Sequence, residues 1–551
     1  MNSALLALAF IQAPAPAQQG LPDSTRVAIN RVFATWSASN SPGCAVGVSR
    51  NDQPLFQNGY GMANLEHDIP ITPASIFHVA SVSKQFTATA IMLLVADGKL
   101  ALGDDIRKYL PELPDYGHLI TIRHLLTHTS GLRDQWDLLI MARGGRFEEN
   151  RITEADVLEI VTRQRALNFV PGSEYLYSNT GFTLLGTIVK RVSGQSLRAF
   201  AEERIFRPLG MRDTHFHDDY TMVVKGRAAG YAPQGRQWRV SLPNYDTYGA
   251  TSLFTTVGDL LVWEANFSRP VVGTAALFQQ MTTSATLTNG DSTAYGYGIT
   301  IEDYRGTRLI GHGGSDAGYR TYVARAPEHG LATVVLCNAA SANPGALARG
   351  VIDVLVGSKL AALTPPFRPT ITLTTEQLAP FVGVYQHPQT GAPQVVMLRR
   401  DTLALGRVAG PALLPISETR FKVMGQPAEL EFTADGNVVQ TALGWPARAP
   451  VVSKRVAAAV SQPTRAELER YAGSYYSEEL GATYAVSATD STLVLKSRWG
   501  AGDRVVRMAF GDTFVGDYLL RFTRGKGGRI EGMLMSSGRS RGVRFERAQP
   551  R

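Results

Sequence analysis

The feature that most constrains the fold is an internal repeat in the last third of the chain. Three separate segments return at one fixed offset of 90 residues. A constant offset of this kind predicts two copies of one structural unit. Each copy holds several short strand-like runs separated by Gly-containing turns, so we expect two small antiparallel β-barrels. The paired segments are LAPFVGVY at 378–385 with LERYAGSY at 468–475, TLAL at 402–405 with TLVL at 492–495, and Phe432-Thr433 with Phe522-Thr523.

Two linker-like segments divide the chain. Thr364 to Pro369 reads TPPFRP, and its prolines predict a stiff linker. The segment AAAVSQP at 457–463 lies between the two repeats. We therefore predict a large domain at residues 21–363 and barrel domains at residues 373–456 and 464–548.

The large domain carries strand signals at both ends and helix signals between them. This order predicts an α+β domain in which both chain ends build one antiparallel sheet and the helices form an insertion. The turn-forming PEHG at 327–330 predicts a hairpin between the last two strands. The expected strands are 44–48, 55–56, 308–310, 320–326 and 331–336, and the expected helices are 81–97, 122–126, 154–163, 180–192 and 256–267.

Composition indicates an ordinary globular protein. The chain has 551 residues, of which 44% are hydrophobic and 19% charged, so it is neither disordered nor of low complexity. Its two cysteines exclude a disulfide-rich scaffold and a Cys-rich zinc module. Cys44 and Cys337 lie in strand runs that could share one sheet, and we expect them to be two buried thiols rather than a disulfide.

The positive charge is concentrated at the end of the chain. Residues 464–551 hold 15 Lys and Arg against 10 Asp and Glu, a net +5 of the total +8. The Lys and Arg residues form no stripe with interleaved aromatic residues, so we expect no nucleic-acid partner. The charge indicates a solvated surface or, alternatively, attraction to an anionic partner such as a cell-envelope polymer.

The N-terminus resembles a secretory signal peptide. An apolar run from Ala4 to Ile11 precedes Ala15-Pro16-Ala17, a small-residue cleavage site, although no Lys or Arg precedes the run. We therefore predict a signal peptide at residues 1–17 and a periplasmic or secreted protein; a frayed N-terminus is the alternative. Because no later segment has eighteen uninterrupted apolar residues, we expect no membrane span.

Ser81 and Lys84 are separated by nearly one helical turn at the start of the helix expected at 81–97. Both side chains would then project from one face. A serine needs an adjacent base to act as a nucleophile, and an amine one turn away can take its proton. The alternative is a helix-capping serine beside a solvated lysine.

Two further motifs carry groups of the same chemistry. In Tyr177-Ser178-Asn179, a phenol near cations can act as a base and an amide can bind a substrate carbonyl. In His312-Gly313-Gly314-Ser315, the glycines would let a substrate backbone lie against a strand edge, and His312 supplies a titratable group. Taken singly, the first motif also fits an ordinary core tyrosine, and the second also fits a glycine-rich turn with an exposed histidine.

Together, the order and context of the three motifs resemble the serine β-lactamase and penicillin-binding-protein superfamily. The closest likeness is to its class C-like branch, which holds class C β-lactamases, D-alanyl-D-alanine carboxypeptidases, D-aminopeptidases and serine esterases. The resemblance covers about residues 21–363. The segments that carry it are FHVASVSKQFTA at 77–88, DGKLALGD at 97–104, IRHLLTHTSGL at 122–132, YLYSNTGF at 175–182, YGATSLFTTVGD at 248–259 and YGYG at 295–298.

The resemblance implies an acyl-serine mechanism. Ser81 would attack a carbonyl, Lys84 and Tyr177 would share the acid and base work, and water would release the acyl group. The backbone N–H groups of Ser81 and Ser315 would form the oxyanion hole, and Asn179 would position the substrate amide. We expect His128 to support its loop rather than to react.

The third motif departs from the β-lactamase pattern. β-Lactamases of this branch have Lys-Thr-Gly where this chain has His312, Gly313 and Gly314, so the ammonium and hydroxyl that bind a substrate carboxylate are missing. D-aminopeptidases and related peptidases of the superfamily have a His-x-Gly version of this strand and also carry β-barrel domains after the catalytic domain, which strengthens the likeness to them. Esterase-like members vary at this strand too, so they remain an alternative.

The sequence thus predicts a serine peptidase, amidase or esterase acting on a small molecule or peptide that is cell-wall-derived or contains D-amino acids. Two alternatives remain: a class C-type β-lactamase, or a penicillin-binding sensor that is acylated but does not turn over. No metal-binding or nucleotide-binding motif is present, so we expect no cofactor and no metal.

Overall fold

A computed structural model describes residues 21–144, 151–362, 370–406, 410–426, 428–442, 450–498 and 502–548. The expected signal peptide at 1–17 and the linker at 364–369 lie outside these residues, and the domain boundaries stay predictions. No helix among the described residues combines the length and apolar character that crossing a bilayer requires.

The centre of the large domain is a six-stranded antiparallel sheet built from both ends of that domain. The last strand, Leu331–Cys337, pairs with the first, Cys44–Arg50, which confirms the predicted closure. The predicted hairpin turn is present, since Pro327–His329 joins two paired strands. In sheet order the strands are Thr300–Tyr304, Thr307–Asp316, Tyr319–Ala326, Leu331–Cys337, Cys44–Arg50 and Gln53–Tyr60.

The expectation of two free thiols is wrong, because Cys44 and Cys337 form a disulfide. The strands Cys44–Arg50 and Leu331–Cys337 are neighbours, and their register places the two cysteines directly opposite each other, with Cα atoms 4.0 Å apart. The sequence indicated that both lie in strands but not that they are cross-strand partners. The bond closes a loop of 293 residues and ties the two ends of the domain together.

Helices cover both faces of the sheet because successive strand residues point to opposite sides. On one side, Pro344–Val356 packs on the last two strands and Asp23–Val32 packs on that helix. On the other, Val257–Ser268 packs on Cys44–Arg50 and Leu331–Cys337. The remaining helices of five or more residues in the described part of the large domain are Ser83–Ala96, Ile122–Leu126, Gln135–Arg143, Glu154–Thr162, Asn179–Ser193, Leu197–Ala201, the π-helix Glu202–Phe206, and Ala275–Met281.

The C-terminal part contains two closed antiparallel barrels of eight strands each, as the repeat predicts. Equivalent details recur at the 90-residue offset: Tyr385 donates to the Phe381 carbonyl at 2.9 Å and Tyr475 to the Tyr471 carbonyl at 2.7 Å. The short helices Thr375–Leu378 and Arg465–Glu469 both begin with a capping box. The strands of the first barrel are Gly383–Gln386, Pro393–Arg399, Thr402–Leu405, Ala412–Pro415, Arg420–Val423, Ala428–Phe432, Val438–Ala442 and Val451–Ala457; those of the second are Gly473–Ser477, Ala482–Ala488, Leu493–Ser497, Arg504–Phe510, Thr513–Gly516, Leu519–Arg524, Ile530–Ser536 and Val543–Arg547.

The second barrel is docked on the helical part of the large domain. Arg133 and Glu479 form an ion pair of 2.7 Å whose side chains are only 1% and 7% exposed. Tyr484 donates a hydrogen bond to the main-chain carbonyl of Met141 at 2.8 Å. Buried contacts of this kind fix the barrel in place beside the cleft described below.

Candidate active site

Ser81 lies in a tight turn rather than in the first turn of a helix. The helix expected at 81–97 begins only at Ser83, and a 3₁₀ turn, Ala80–Val82, precedes it. Ala80 has a φ of 49°, a left-handed conformation that is uncommon for a residue with a Cβ. Such strain is often found at functional positions, and here it sets the direction in which the next residue, Ser81, leaves the turn.

Lys84 contacts Ser81 as the motif predicts. Its Nζ donates to Ser81 Oγ at 3.0 Å, to Asn179 Oδ1 at 2.9 Å and to the Ala250 carbonyl at 2.6 Å. The residue has no exposed surface. Burial lowers the pKa of the Lys84 amine well below its usual value, although Asp134 opposes that shift. The neutral amine has two N–H bonds, which suffice for Asn179 and the Ala250 carbonyl, and a lone pair that can face Ser81 and accept its proton.

Tyr177 lies against Lys84 and lines the same cleft. The Lys84 Nζ is 4.9 Å from the centre of its ring. Burial raises the pKa of the Tyr177 phenol above its usual value, although a side-chain contact with Ser81 opposes the shift. The phenol is therefore neutral, which does not fit the base role that the sequence suggested for it. The buried Tyr177 hydroxyl lies near Ser81 but makes no well-aligned hydrogen bond within the described residues, so it can turn to a substrate.

Asn179 binds within the protein at both ends of its amide. Its Oδ1 accepts from Lys84, and its Nδ2 donates to Asp134 Oδ2 at 3.0 Å. The expected role of Asn179 toward a substrate amide stays a prediction. The observed contacts show that the side chain orients the lysine.

The strand Thr307–Asp316 runs beside the Ser81 turn. Its outer neighbour Thr300–Tyr304 pairs only as far as Gly311, so the 312–316 end lies at the mouth of the cleft. A Cβ on Gly314 would lie 2.3 Å from the Val79 carbonyl oxygen, so the close approach of strand and turn requires this glycine. We expected the glycines of this motif to leave space for a substrate backbone. At Gly314 the glycine is needed instead for contact between the strand and the turn. Gly313 has ordinary space around it.

His312 is not the titratable group that the sequence suggested. Its Nε2 is 2.9 Å from the Tyr295 hydroxyl and its Nδ1 is 2.5 Å from the Gly313 carbonyl oxygen. Burial, reinforced by nearby Lys84, lowers the pKa of His312 to about 3. The imidazole is therefore neutral at ordinary pH, with Nδ1 as donor to the carbonyl and Nε2 as acceptor from the phenol.

His128 supports the loop that carries Tyr177, as expected. Its Nδ1 accepts the Ser178 backbone N–H at 3.2 Å, and its ring lies 4.2 Å from that of Tyr177. Burial keeps its pKa well below the usual value. The ring is a neutral packing surface for the phenol.

These groups line one cleft of about 780 Å³, which is a size suited to a small molecule or short peptide end. The cleft brings together all three sequence motifs: Ser81, Tyr177, Asn179, and His312 to Ser315. In the described part of the chain, no group of three His, Cys, Asp or Glu residues is arranged to hold a metal ion.

Two residues of the site were missed by the sequence analysis. Asp134, fully buried, caps the helix Gln135–Arg143 and binds Asn179. Arg539, from the 537–542 loop of the second barrel, lines the cleft, and its guanidinium is 5.9 Å from the Tyr177 ring centre. A helix-capping aspartate gives a weak signal for Asp134, while no sequence motif connects Arg539 to residues 360 or more positions earlier.

Comparisons with known proteins agree with this geometry. Residues 29–357 match the family described as Beta-lactamase. A D-aminopeptidase of Gluconobacter oxydans is 28% identical over 72% of this chain and 73% of its own, and a D-aminopeptidase of Brucella canis is 24% identical over 92% and 96%. The structure of an octameric penicillin-binding protein homologue from Pyrococcus abyssi is 25% identical, with a TM-score of 0.55 over 78% of this chain and 99% of that one. The family match spans more than half of the chain and includes every motif of the cleft, so this protein belongs to the Beta-lactamase family and is a serine hydrolase.

Proposed function

We propose that the protein hydrolyses amide bonds of peptides or amides that contain D-amino acids, through an acyl-enzyme on Ser81. The observation that carries the proposal is the 3.0 Å hydrogen bond between Ser81 Oγ and the buried Lys84 amine. The names of its relatives, D-aminopeptidases, support the substrate class.

The reaction follows from the contacts around Ser81. As Ser81 Oγ bonds to the substrate carbonyl carbon, its proton passes to the Lys84 amine. The carbonyl oxygen becomes an oxyanion, which the backbone N–H groups of Ser81 and Ser315 are proposed to bind. The C–N bond then breaks, and the leaving nitrogen takes the proton that Lys84 holds, either directly or through the Tyr177 hydroxyl, which Lys84 then reprotonates. A water molecule attacks the ester by the same proton path and restores the free serine.

The state of His312 argues against efficient β-lactamase activity. The neutral, buried imidazole and Gly313 offer neither the cation nor the hydroxyl with which a Lys-Thr-Gly strand binds a carboxylate. A neutral histidine binds an anion more weakly than a fixed ammonium.

The test is a hydrolysis assay on D-alanine p-nitroanilide, its L-isomer, p-nitrophenyl acetate and nitrocefin. We expect the D-anilide to be preferred over the L-isomer and nitrocefin to turn over poorly. The Ser81→Ala variant should lose about 10³-fold or more of every activity. Hydrolysis retained by Ser81→Ala would overturn the mechanism. Efficient nitrocefin turnover by the wild type would make β-lactamase the favoured function.

We also propose that the protein is exported to the periplasm or beyond the cell. The disulfide between Cys44 and Cys337 supports this location, because structural disulfides persist in oxidising compartments. The apolar run and the small-residue site in residues 1–17 support it independently. Cell fractionation of the native host would test it, and a wholly cytosolic protein would contradict it.

A further inference from the structure

A continuous series of contacts joins the second barrel to the reactive serine. Arg539 Nη1 lies 3.5 Å from Asp134 Oδ2. The same carboxylate oxygen accepts the Asn179 backbone N–H at 2.7 Å and its side-chain Nδ2 at 3.0 Å. Asn179 Oδ1 accepts from Lys84, which in turn donates to Ser81. Three side chains, those of Asp134, Asn179 and Lys84, thus connect the barrel residue Arg539 to Ser81.

The carboxylate decides which end of the Asn179 amide faces the lysine. An amide can bind with either end, and rotation by 180° would turn its NH₂ group, a donor, toward the Lys84 amine. An ionised Asp134 accepts hydrogen bonds only, so it holds the NH₂ end and leaves Oδ1 for Lys84. Burial raises the pKa of the Asp134 carboxyl, and Arg539 and the two hydrogen bonds from Asn179 oppose that shift and favour the ionised form.

We propose that Arg539 is a positioning residue of the active site: it anchors the Asp134 carboxylate, which holds Asn179 and thereby Lys84, so that the second barrel completes the catalytic apparatus. The proposal rests on the acyl-serine function proposed above. It gives the barrel a part in the chemical step, beyond its place at the rim of the cleft.

The loop that carries Arg539 is held by the large domain on both sides of its backbone. Arg539 N–H donates to Asp137 Oδ2 at 2.6 Å, and the Ser537 hydroxyl donates to the same oxygen at 2.5 Å. The Arg539 carbonyl accepts from Asp134 N–H at 3.2 Å and from Asn168 Nδ2 at 3.0 Å. The position of the guanidinium therefore follows from barrel docking.

The charges that face Lys84 define the expected pH effect. Asp134 and Asp316 raise the pKa of the lysine, and Arg539 lowers it. His128 and His312 are neutral because their pKa values are lowered, and Tyr177 is neutral because its pKa is raised. Loss of the Arg539 charge should raise the pKa of Lys84, while loss of the Asp134 charge should lower it.

The experiment measures the rate at which a fluorophosphonate labels Ser81 in the full-length protein between pH 5 and 10. Arg539→Gln should react about 10-fold more slowly at pH 7 and shift the acid limb of the profile to higher pH. Arg539→Lys keeps the charge and should keep the position of the limb. Arg541→Gln is the matched control, because Arg541 lies in the same loop but pairs with Glu174, at 3.0 Å.

A profile of Arg539→Gln that superimposes on the wild type would overturn the proposal, and so would an equal effect of Arg541→Gln. If thermal melting shows that Arg539→Gln is unfolded, Asp134→Asn decides: the acid limb should move to lower pH, and an unmoved limb rejects the network. A wild type that is not labelled at Ser81 would instead reject the acyl-serine function.

Discussion

At the scale of single residues, the cleft depends on groups that burial keeps uncharged. Lys84 has the lowered pKa that a base needs, and His312 and His128 stay neutral beside it. Three protonated groups so close together would repel each other and would remain poorly solvated. The neutral histidines therefore provide hydrogen bonds and packing without adding positive charge next to the amine.

The pKa of His312 predicts how stability depends on pH. The unfolded histidine, with a pKa near 6.5, takes up a proton below that pH, while the folded one resists it down to about 3. The contribution of His312 to the free energy of unfolding is therefore fully present above pH 6.5 and is lost progressively as the pH falls toward 3. Between pH 7.5 and pH 5, this contribution to the free energy of unfolding should decrease by about 2 kcal/mol.

Urea unfolding of the wild type and His312→Gln at the two pH values measures this contribution. On acidification, the free energy of unfolding of the variant should decrease by about 2 kcal/mol less than that of the wild type. Equal losses in both proteins would show that His312 titrates normally in the fold.

At the scale of elements, local patterns predicted several strands and helices and the hairpin at 327–330 but missed others, among them the strand Thr300–Tyr304 and the helix Pro344–Val356. The register between distant strands could not be predicted. The helix Ile122–Leu126 has the predicted bounds, and Asn179–Ser193 and Val257–Ser268 differ from prediction by one residue at each end. The pairing of Cys44 with Cys337 depends on register between strands almost 300 residues apart, which no local pattern encodes. For the same reason, the site residues within motifs were predicted, while Asp134 and Arg539 were not.

The disulfide gives a prediction at this scale. Replacing both Cys44 and Cys337 by Ala should lower the free energy of unfolding by about 2–5 kcal/mol, because a long loop is no longer closed in the unfolded chain. Thiol labelling in guanidinium should give no labelled cysteine before reduction and two after it. Two labels without reductant would restore the interpretation as free thiols.

At the scale of the whole molecule, the second barrel is part of the folded unit that forms the cleft. Arg539 of its 537–542 loop lines the cleft, and its Glu479 neutralises the buried Arg133 of the large domain. Glu479 also accepts the backbone N–H of Arg165 at 2.8 Å and that of Arg544 at 3.0 Å. One carboxylate thus joins the barrel to two segments of the large domain.

Glu479→Ala should therefore lower the free energy of unfolding by about 3–5 kcal/mol, since it leaves a buried arginine without its partner. The neighbouring Glu478, with a side chain 84% exposed, provides the control, and its replacement by Ala should change stability by less than about 0.5 kcal/mol. Equal, small effects of the two substitutions in urea unfolding would show that barrel docking does not depend on this ion pair.

Ser81 is the nucleophile of the proposed reaction, and intact-mass measurement after brief incubation with a fluorophosphonate, which phosphonylates a reactive serine, tests this. The wild type should carry one adduct, located to Ser81 by peptide mapping, whereas Ser81→Ala should carry none and Lys84→Ala should be labelled slowly. An adduct on another residue, or undiminished labelling of Ser81→Ala, would contradict it.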